Sequence, residues 1–179
     1  YCPIHAKEIT MYRRIRYFHC GEYGEKFGRP HYHAIIFGLN FDEDKTYIGK
    51  SPSGAALFTS PKLEKIWGKG IVSVGDVTFE SAAYVARYVL KKITGPQADN
   101  HYQKLGVLDD HLYPVESEYI TMSRKPGIGS EFYEKYGSDI HRDDFVVLQG
   151  KKYKPPRFYD HLYEMVDPSD FAALKAERV

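Results

Sequence analysis

The stretch GRPHYHAIIFG, residues 28–38, decides the reading of the chain. After Pro30 it becomes strand-like, and on a strand residues two apart share a face. His31 and His33 therefore project together, followed by Ile35 and Phe37, while Tyr32, Ala34 and Ile36 take the other side. Upstream, residues 15–23 (IRYFHCGEY) read as a second strand through Tyr17, Phe18 and Tyr23, and residues 24–30 supply a turn. Residues 15–38 are thus predicted to form an antiparallel β-hairpin with a longer loop.

Working outward, residues 6–14 (AKEITMYRR) read as a short helix, and residues 42–59 as irregular chain. Ser60-Pro61 is an N-cap with proline at the first helical position, and Gly68 stops that helix after Trp67. Residues 71–77 (IVSVGDV) alternate as a strand, and a helix is expected from Phe79 to Ile93. Residues 97–118 read as a long loop or extension. Short strands are expected at Tyr119–Met122 and Phe145–Leu148, with a helix between them capped by Ser130 and ended by Gly137. A last helix opens at Pro168-Ser169. Strands and helices mix without regular alternation, which predicts an α+β fold with a mainly antiparallel central sheet and flanking helices.

The 179 residues fit one domain over 1–179, and 42% hydrophobic residues suffice for a sheet backed by helices. A net charge of +1 excludes a general nucleic-acid coat, so binding to a polyanion must use local patches. Such patches occur at Arg13-Arg14-Ile15-Arg16, Lys62/Lys65/Lys69, Lys91-Lys92, Arg124-Lys125 and Lys151-Lys152-Tyr153-Lys154. Cys2 and Cys20 form no spaced disulfide framework, and nothing reads as a signal peptide or membrane span, which points to a reducing cytoplasm. The chain begins with Tyr1, as an N-terminally truncated fragment would.

Two imidazoles on one strand face can reach one cation, although two polar residues on the wet side of a sheet would look the same. If the hairpin folds about residues 24–29, Glu22 lies opposite His31, which makes it the natural third ligand, with Glu25 in the turn as the fallback. In ESAAYVARYVLKK, residues 80–92, helical spacing sets Ala82, Val85, Ala86, Val89, Leu90 and Ile93 on one apolar arc. Tyr84, Tyr88 and Lys91 gather on the opposite side, with Arg87 and Lys92 at its edges. The pair can be solvent-exposed for solubility. It can also carry chemistry, because a phenol attacks phosphorus when a neighbouring charge stabilises the transition state.

GEYGEKFGRPHYHAIIFG followed by AAYVARYVLKK resembles the replication initiator proteins of microviruses, in particular those of the gokushovirus branch, within the HUH endonuclease superfamily. YITMSRKPGIGSEFYEKY, DFVVL and KPPRFYDHLYE extend the likeness over most of residues 15–165. The resemblance implies an HUH (ferredoxin/RRM-like) architecture and a rolling-circle initiator that nicks single-stranded viral origin DNA. It implies Mg2+ or Mn2+ held by His31, His33 and, less uniformly placed in the family, Glu22. It further implies tyrosine attack by Tyr84 and Tyr88, giving a 5′-phosphotyrosyl link and a free 3′-hydroxyl, with later rejoining of the ends. From the residues themselves, Lys91 or Lys92 adjacent to such a metal would neutralise the charge that builds in the transition state.

Members of that family usually open with a hydrophobic strand ahead of the first helix, so this chain is expected to lack an N-terminal strand. Arg29 beside the histidines, Arg87, and Arg124-Lys125 in the loop RKPGIG are candidates for DNA contacts. The expected partners are origin single-stranded DNA and host replication proteins, and the expected location is the cytoplasm of a bacterial host. Two other readings stay open: a relaxase or transposase using the same chemistry, and a non-catalytic zinc-stabilised DNA-binding module that adds His19 or Cys20 to the histidines.

Overall fold

The structure is a computed structural model that describes residues 15–24, 27–105 and 111–178. The helix expected over 6–14, the Arg13-Arg14 patch, Cys2 and Glu25 lie outside the described residues. The chain divides after Arg124 into two compact units. Both are α+β with small antiparallel sheets.

In the first unit, β1 (Arg16–Tyr23) pairs antiparallel with β2 (Pro30–Phe37), as the hairpin reading predicts. The register sets Glu22 opposite His31, Cys20 opposite His33 and Phe18 opposite Ile35. A third strand, β7 (Tyr119–Met122), joins the free edge of β1, so the sheet runs β2-β1-β7. Because side chains alternate, one sheet face carries Cys20, Glu22, His33 and Ile35, of which Cys20, Glu22 and Ile35 are buried. The opposite face carries aromatic rings: His19 lies parallel to Tyr32 with ring centres 6.2 Å apart, and Tyr32 meets the edge of Trp67 at 5.1 Å.

Several expectations need correction. Residues 42–59 are not irregular: β3 (Thr46–Lys50) and β4 (Ala56–Thr59) form a hairpin, whose alternation is hidden by a register shift between Tyr47 and Gly49. Residues 71–77 form no strand. Only Val74 bridges to Phe58, and Ile71 is 94% exposed, because no second partner strand lies alongside. Within 97–118 the chain makes the short helix α3 (Ala98–His101) and the hairpin of β5 (Gln103–Leu105) with β6 (Leu112–Pro114).

The helix α1 (Pro61–Trp67) forms as read, with Ser60 at its N-cap and Gly68 in left-handed conformation at its end. The expected helix Phe79–Ile93 is shorter. α2 (Phe79–Ala86) starts from a capping box of Thr78 and Ser81, then tightens at Arg87–Lys91 into a 3₁₀ turn.

In the second unit, α4 (Ser130–Asp143) is followed by the hairpin of β8 (Val146–Leu148) and β9 (Lys151–Tyr153), then α5 (Arg157–Val166) and α6 (Pro168–Glu177). Gly129, not Ser130, caps α4, and the helix runs through Gly137. A Cβ at Gly137 would stand 3.0 Å from the Tyr133 ring, so the glycine makes room for that ring instead of stopping the helix. Arg178 closes the unit with charge-assisted bonds to Asp144 and Asp160, which hold Asp144 below its usual carboxylate range.

Ser60 is fully buried, accepts from the Leu63 amide at 3.1 Å and donates to Asp44 at 2.7 Å. Ser60→Ala removes the cap and leaves the half-buried Leu63 amide without its Ser60 acceptor. Urea unfolding should show a loss of about 1–2 kcal/mol.

Candidate active site

The hairpin register brings the first three site residues together. Glu22 is only 5% exposed, and its Oε1 lies 3.4 Å from His33 Nε2 and 3.7 Å from His31 Nδ1. Its Oε2 accepts from Lys91 Nζ at 2.7 Å. A buried carboxylate is tolerated only when charges and donors surround it, and Lys91 with the two rings meets that need. Gly24, next to the hairpin turn, lets His31 approach the chain: a Cβ there would stand 2.7 Å from His31 Cε1.

α2 lies across β2, and the 3₁₀ turn that follows lies on β1. Ala82, Val85 and Ile93 of the apolar arc are half-buried and Tyr84 is exposed, as expected, but the 3₁₀ turn departs from the reading. Tyr88 is buried at 9% exposure and stacks on His33 with ring centres 4.3 Å apart, whereas Leu90 of the apolar arc is 83% exposed. The sheet surface beneath is partly polar, with His33 and the Glu22 carboxylate beside Cys20 and Ile35. A phenol covers such a surface better than leucine, because its hydroxyl can still find a partner. In a 3₁₀ turn residues three apart eclipse, which sets Lys91 Nζ 5.0 Å over the Tyr88 ring.

Tyr84 stays 52% exposed, with its ring edge-on to His33 at 6.2 Å and to Tyr88 at 5.2 Å. The Tyr88 hydroxyl donates to the Tyr84 oxygen in a very short hydrogen bond. Burial, then the bond to Tyr84, then the nearby Glu22 charge push the Tyr88 phenol far above its ordinary value. Burial and Glu22 likewise raise the Cys20 thiol. The two phenols are therefore unequal: one is accessible and accepts a proton donor, the other is covered and holds its proton.

The remaining site residues fall in different places. Lys92 and Arg87 are exposed at the two ends of the 3₁₀ turn, and Arg29 is exposed at the start of β2 with its guanidinium 5.6 Å from the Phe27 ring. Arg124 follows β7 at the Tyr17 end of β1, since Ser123 donates to the Tyr17 carbonyl. Five residues of β1 separate that end from Glu22, about 16 Å at strand rise, so Arg124 is not brought to the histidines. Lys125 opens the second unit. His19 faces the aromatic side of the sheet, away from His31 and His33.

Among the described residues no group of three His, Cys, Asp or Glu side chains stands as a ready ligand cage. The donor set nevertheless fits a divalent ion in kind: two imidazole nitrogens converge within 3.7 Å of one carboxylate oxygen.

Residues the motif reading passed over also gather near this end of the sheet. Glu118 is 7% exposed and accepts from the Tyr102 hydroxyl, which in turn accepts from the Ile93 amide at 2.9 Å. No sequence signal marks them, because only the pairing of Tyr119 with Gly21 brings Glu118 beside the Glu22 end of β1.

The family model for replication-associated proteins of the ORF2 type matches residues 4–93, half of the chain, including His31, His33, Tyr84 and Tyr88. The chain belongs to that family. It is 32% identical over 167 residues to replication-associated protein VP4 of Bdellovibrio phage phiMH2K, covering 92% of this chain and 48% of the relative. It is 32% identical to replication-associated protein ORF2 of Spiroplasma virus 4, covering 84% and 43%, and 29% identical to replication-associated protein ORF4 of Chlamydia phage 1, covering 88% and 38%. The chain thus spans less than half the length of these relatives. These findings support the microvirus-type resemblance seen in the motifs. No solved structure matches the chain. Among the described residues no helix is long and apolar enough to cross a membrane.

The asymmetry of the phenols has a direct readout. Burial disfavours the phenolate, so Tyr88 keeps its proton to a pH above the ordinary tyrosine value of about 10. In a pH titration of ring-labelled tyrosine followed by NMR, the resonance lost in Tyr88→Phe should be among the last to move. Titration at or below the ordinary value would contradict the burial argument.

Proposed function

We propose that this family member is a rolling-circle replication initiator of HUH type that nicks single-stranded phage origin DNA. The observation that carries the reading is the hydrogen-bonded Tyr84–Tyr88 pair, seated on His33 beside the Glu22–His31–Lys91 cluster. Family membership and the replication-associated names of the relatives support a role in viral DNA replication. Origin single-stranded DNA is the proposed substrate, host replication proteins are the proposed partners, and the interior of an infected bacterium is the proposed place of action.

Glu22, His31 and His33 would hold Mg2+ or Mn2+, which when bound supplies Lewis-acid polarisation of a phosphate oxygen. The protein's own groups do the rest. Tyr84 is the first nucleophile in this proposal, being exposed and accepting a hydrogen bond that stabilises its developing phenolate. Its oxygen bonds to phosphorus, the bond from phosphorus to the 3′-oxygen breaks, and the phenol proton is lost as the departing oxygen gains one. The products are a 5′-phosphotyrosine and a free 3′-hydroxyl.

Lys91, over the Tyr88 ring and bonded to Glu22, adds positive charge to the cluster as negative charge builds on the phosphate. Tyr88 then serves the second cut, once the first phenol is esterified and no longer shares its proton. Because the phosphotyrosine is itself a phosphodiester, attack by a 3′-hydroxyl rejoins the strand without a nucleotide cofactor. Arg29, Arg87 and Lys92, exposed around the site, are proposed to bind the DNA backbone, and Arg124-Lys125 to bind it farther along the strand.

A single-turnover nicking assay on single-stranded origin oligonucleotide with Mn2+ tests the assignment, with mass spectrometry of the tyrosyl-DNA peptide. Tyr84→Phe should lower the first cut about 10³-fold or more, Tyr88→Phe should leave it within about tenfold, and the double variant should form no adduct. An undiminished adduct in the double variant would end the tyrosine assignment, and a reversed ranking would reverse the order of attack. His33→Ala should abolish cutting and remove the protein-dependent enhancement of water-proton relaxation by Mn2+.

A further inference from the structure

Beside the phenol–histidine cluster the first unit has an open cleft of about 410 Å³, within the range of small-ligand sites. Tyr23, Lys91, Tyr102, Lys104 and Glu118 line it. Two opposite chemistries meet there. The ammonium groups are those of Lys91, bonded to Glu22 at 2.7 Å, and of Lys104, bonded to the Gly28 carbonyl at 2.7 Å and 4.3 Å from the Tyr23 ring. The carboxylate is that of the buried Glu118.

That carboxylate is aimed: the Ile93 amide donates to the Tyr102 oxygen, and the Tyr102 hydroxyl donates to Glu118 Oε2. A chain of two bonds anchored on the main chain fixes the acceptor in place. A ligand matching the cleft carries both an anionic group and a hydrogen-bond donor, with a flat body to pass the Tyr23 and Tyr102 rings. A nucleotide whose base bears an exocyclic amine has all three. Lys91 belongs both to this cleft and to the cluster around Glu22, so a phosphate held by it lies next to the phenols.

We infer that the cleft takes one unstacked nucleotide of the single strand adjoining the cut, its phosphate on Lys91 and Lys104 and its base amine on Glu118. The inference rests on the nicking reading. It gives the segment 97–118 a role in choosing the sequence that is cut. Adenine, cytosine and guanine can donate an exocyclic amine to the carboxylate, whereas thymine has only its N3–H, flanked by two carbonyl oxygens that repel a carboxylate. A duplex is excluded, because a paired base cannot leave its stack to enter the cleft without extrusion.

The test is a selection from a randomised single-stranded DNA pool by the full chain, with the cut position of each enriched sequence mapped by nicking. The expected result is an amine-bearing base at one fixed position beside the cut. Replacing that base by its analogue without the amine (purine, pyrimidin-2-one or hypoxanthine) should weaken binding about tenfold. Glu118→Leu should lose the preference at that position alone. Tyr102→Phe, which removes only the orienting hydroxyl and keeps the ring, should weaken it, with thermal unfolding checking that both variants fold.

Preference at that position surviving in both folded variants overturns the cleft assignment, as does a wild-type chain that nicks without any such preference. A wild-type chain that neither binds nor nicks single-stranded DNA overturns the nicking reading and the cleft with it.

Discussion

A single buried carboxylate organises this end of the protein. Glu22 sits at the turn-proximal end of β1, where the hairpin register sets it across from His31, and it is almost wholly withdrawn from water. An ionised group in that position is tenable only with partners, and each partner comes from a different part of the chain: the histidines from β2, Lys91 from the 3₁₀ turn. Satisfying Glu22 therefore draws the turn down onto the sheet. Tyr88, within that turn, comes with it, which is why its ring ends up stacked on His33.

The same constraint explains why the two tyrosines differ although they stand four residues apart on similar sequence. Tyr88 lies under the turn and over the ring, so desolvation keeps its phenol protonated, and that proton is donated to Tyr84. Tyr84 lies one turn earlier on α2, at the edge of the cluster and open to a ligand. Two chemically identical side chains thus differ in exposure and in which of them donates the hydrogen bond they share. Lys91 ties this arrangement to the neighbouring cleft, where Glu118 repeats the theme of a buried carboxylate held by an oriented donor.

The opposite face of the sheet is built on other terms. His19, Tyr32 and Tyr119 lie over its central strand, and Trp67 of α1 meets Tyr32 edge-on. These rings pack together without demanding charge partners, so the two faces divide the hairpin into a side that pairs charged and polar groups and a side of aromatic packing.

Much of the hairpin was legible in the amino-acid order. Period-two alternation in β2, the turn between residues 24 and 30, and the Ser60 and Gly68 signals around α1 are local features that need no distant partner. The pairing of Glu22 with His31 follows from the turn alone. What local pattern could not decide was which side chains of the 3₁₀ turn at Arg87–Lys91 face inward. By periodicity the apolar arc belongs inside, yet Leu90 is exposed and Tyr88 is buried, because the surface it meets is partly polar and the helix tightens after Ala86. The joining of β7 to β1, and with it the placing of Glu118 near Glu22, likewise depends on contacts about a hundred residues apart in sequence. The residue types and their local spacing were set by the chain itself. Their convergence on one buried carboxylate was settled only by tertiary structure, since desolvation and pairing act on residues that meet in space whatever their separation along the chain.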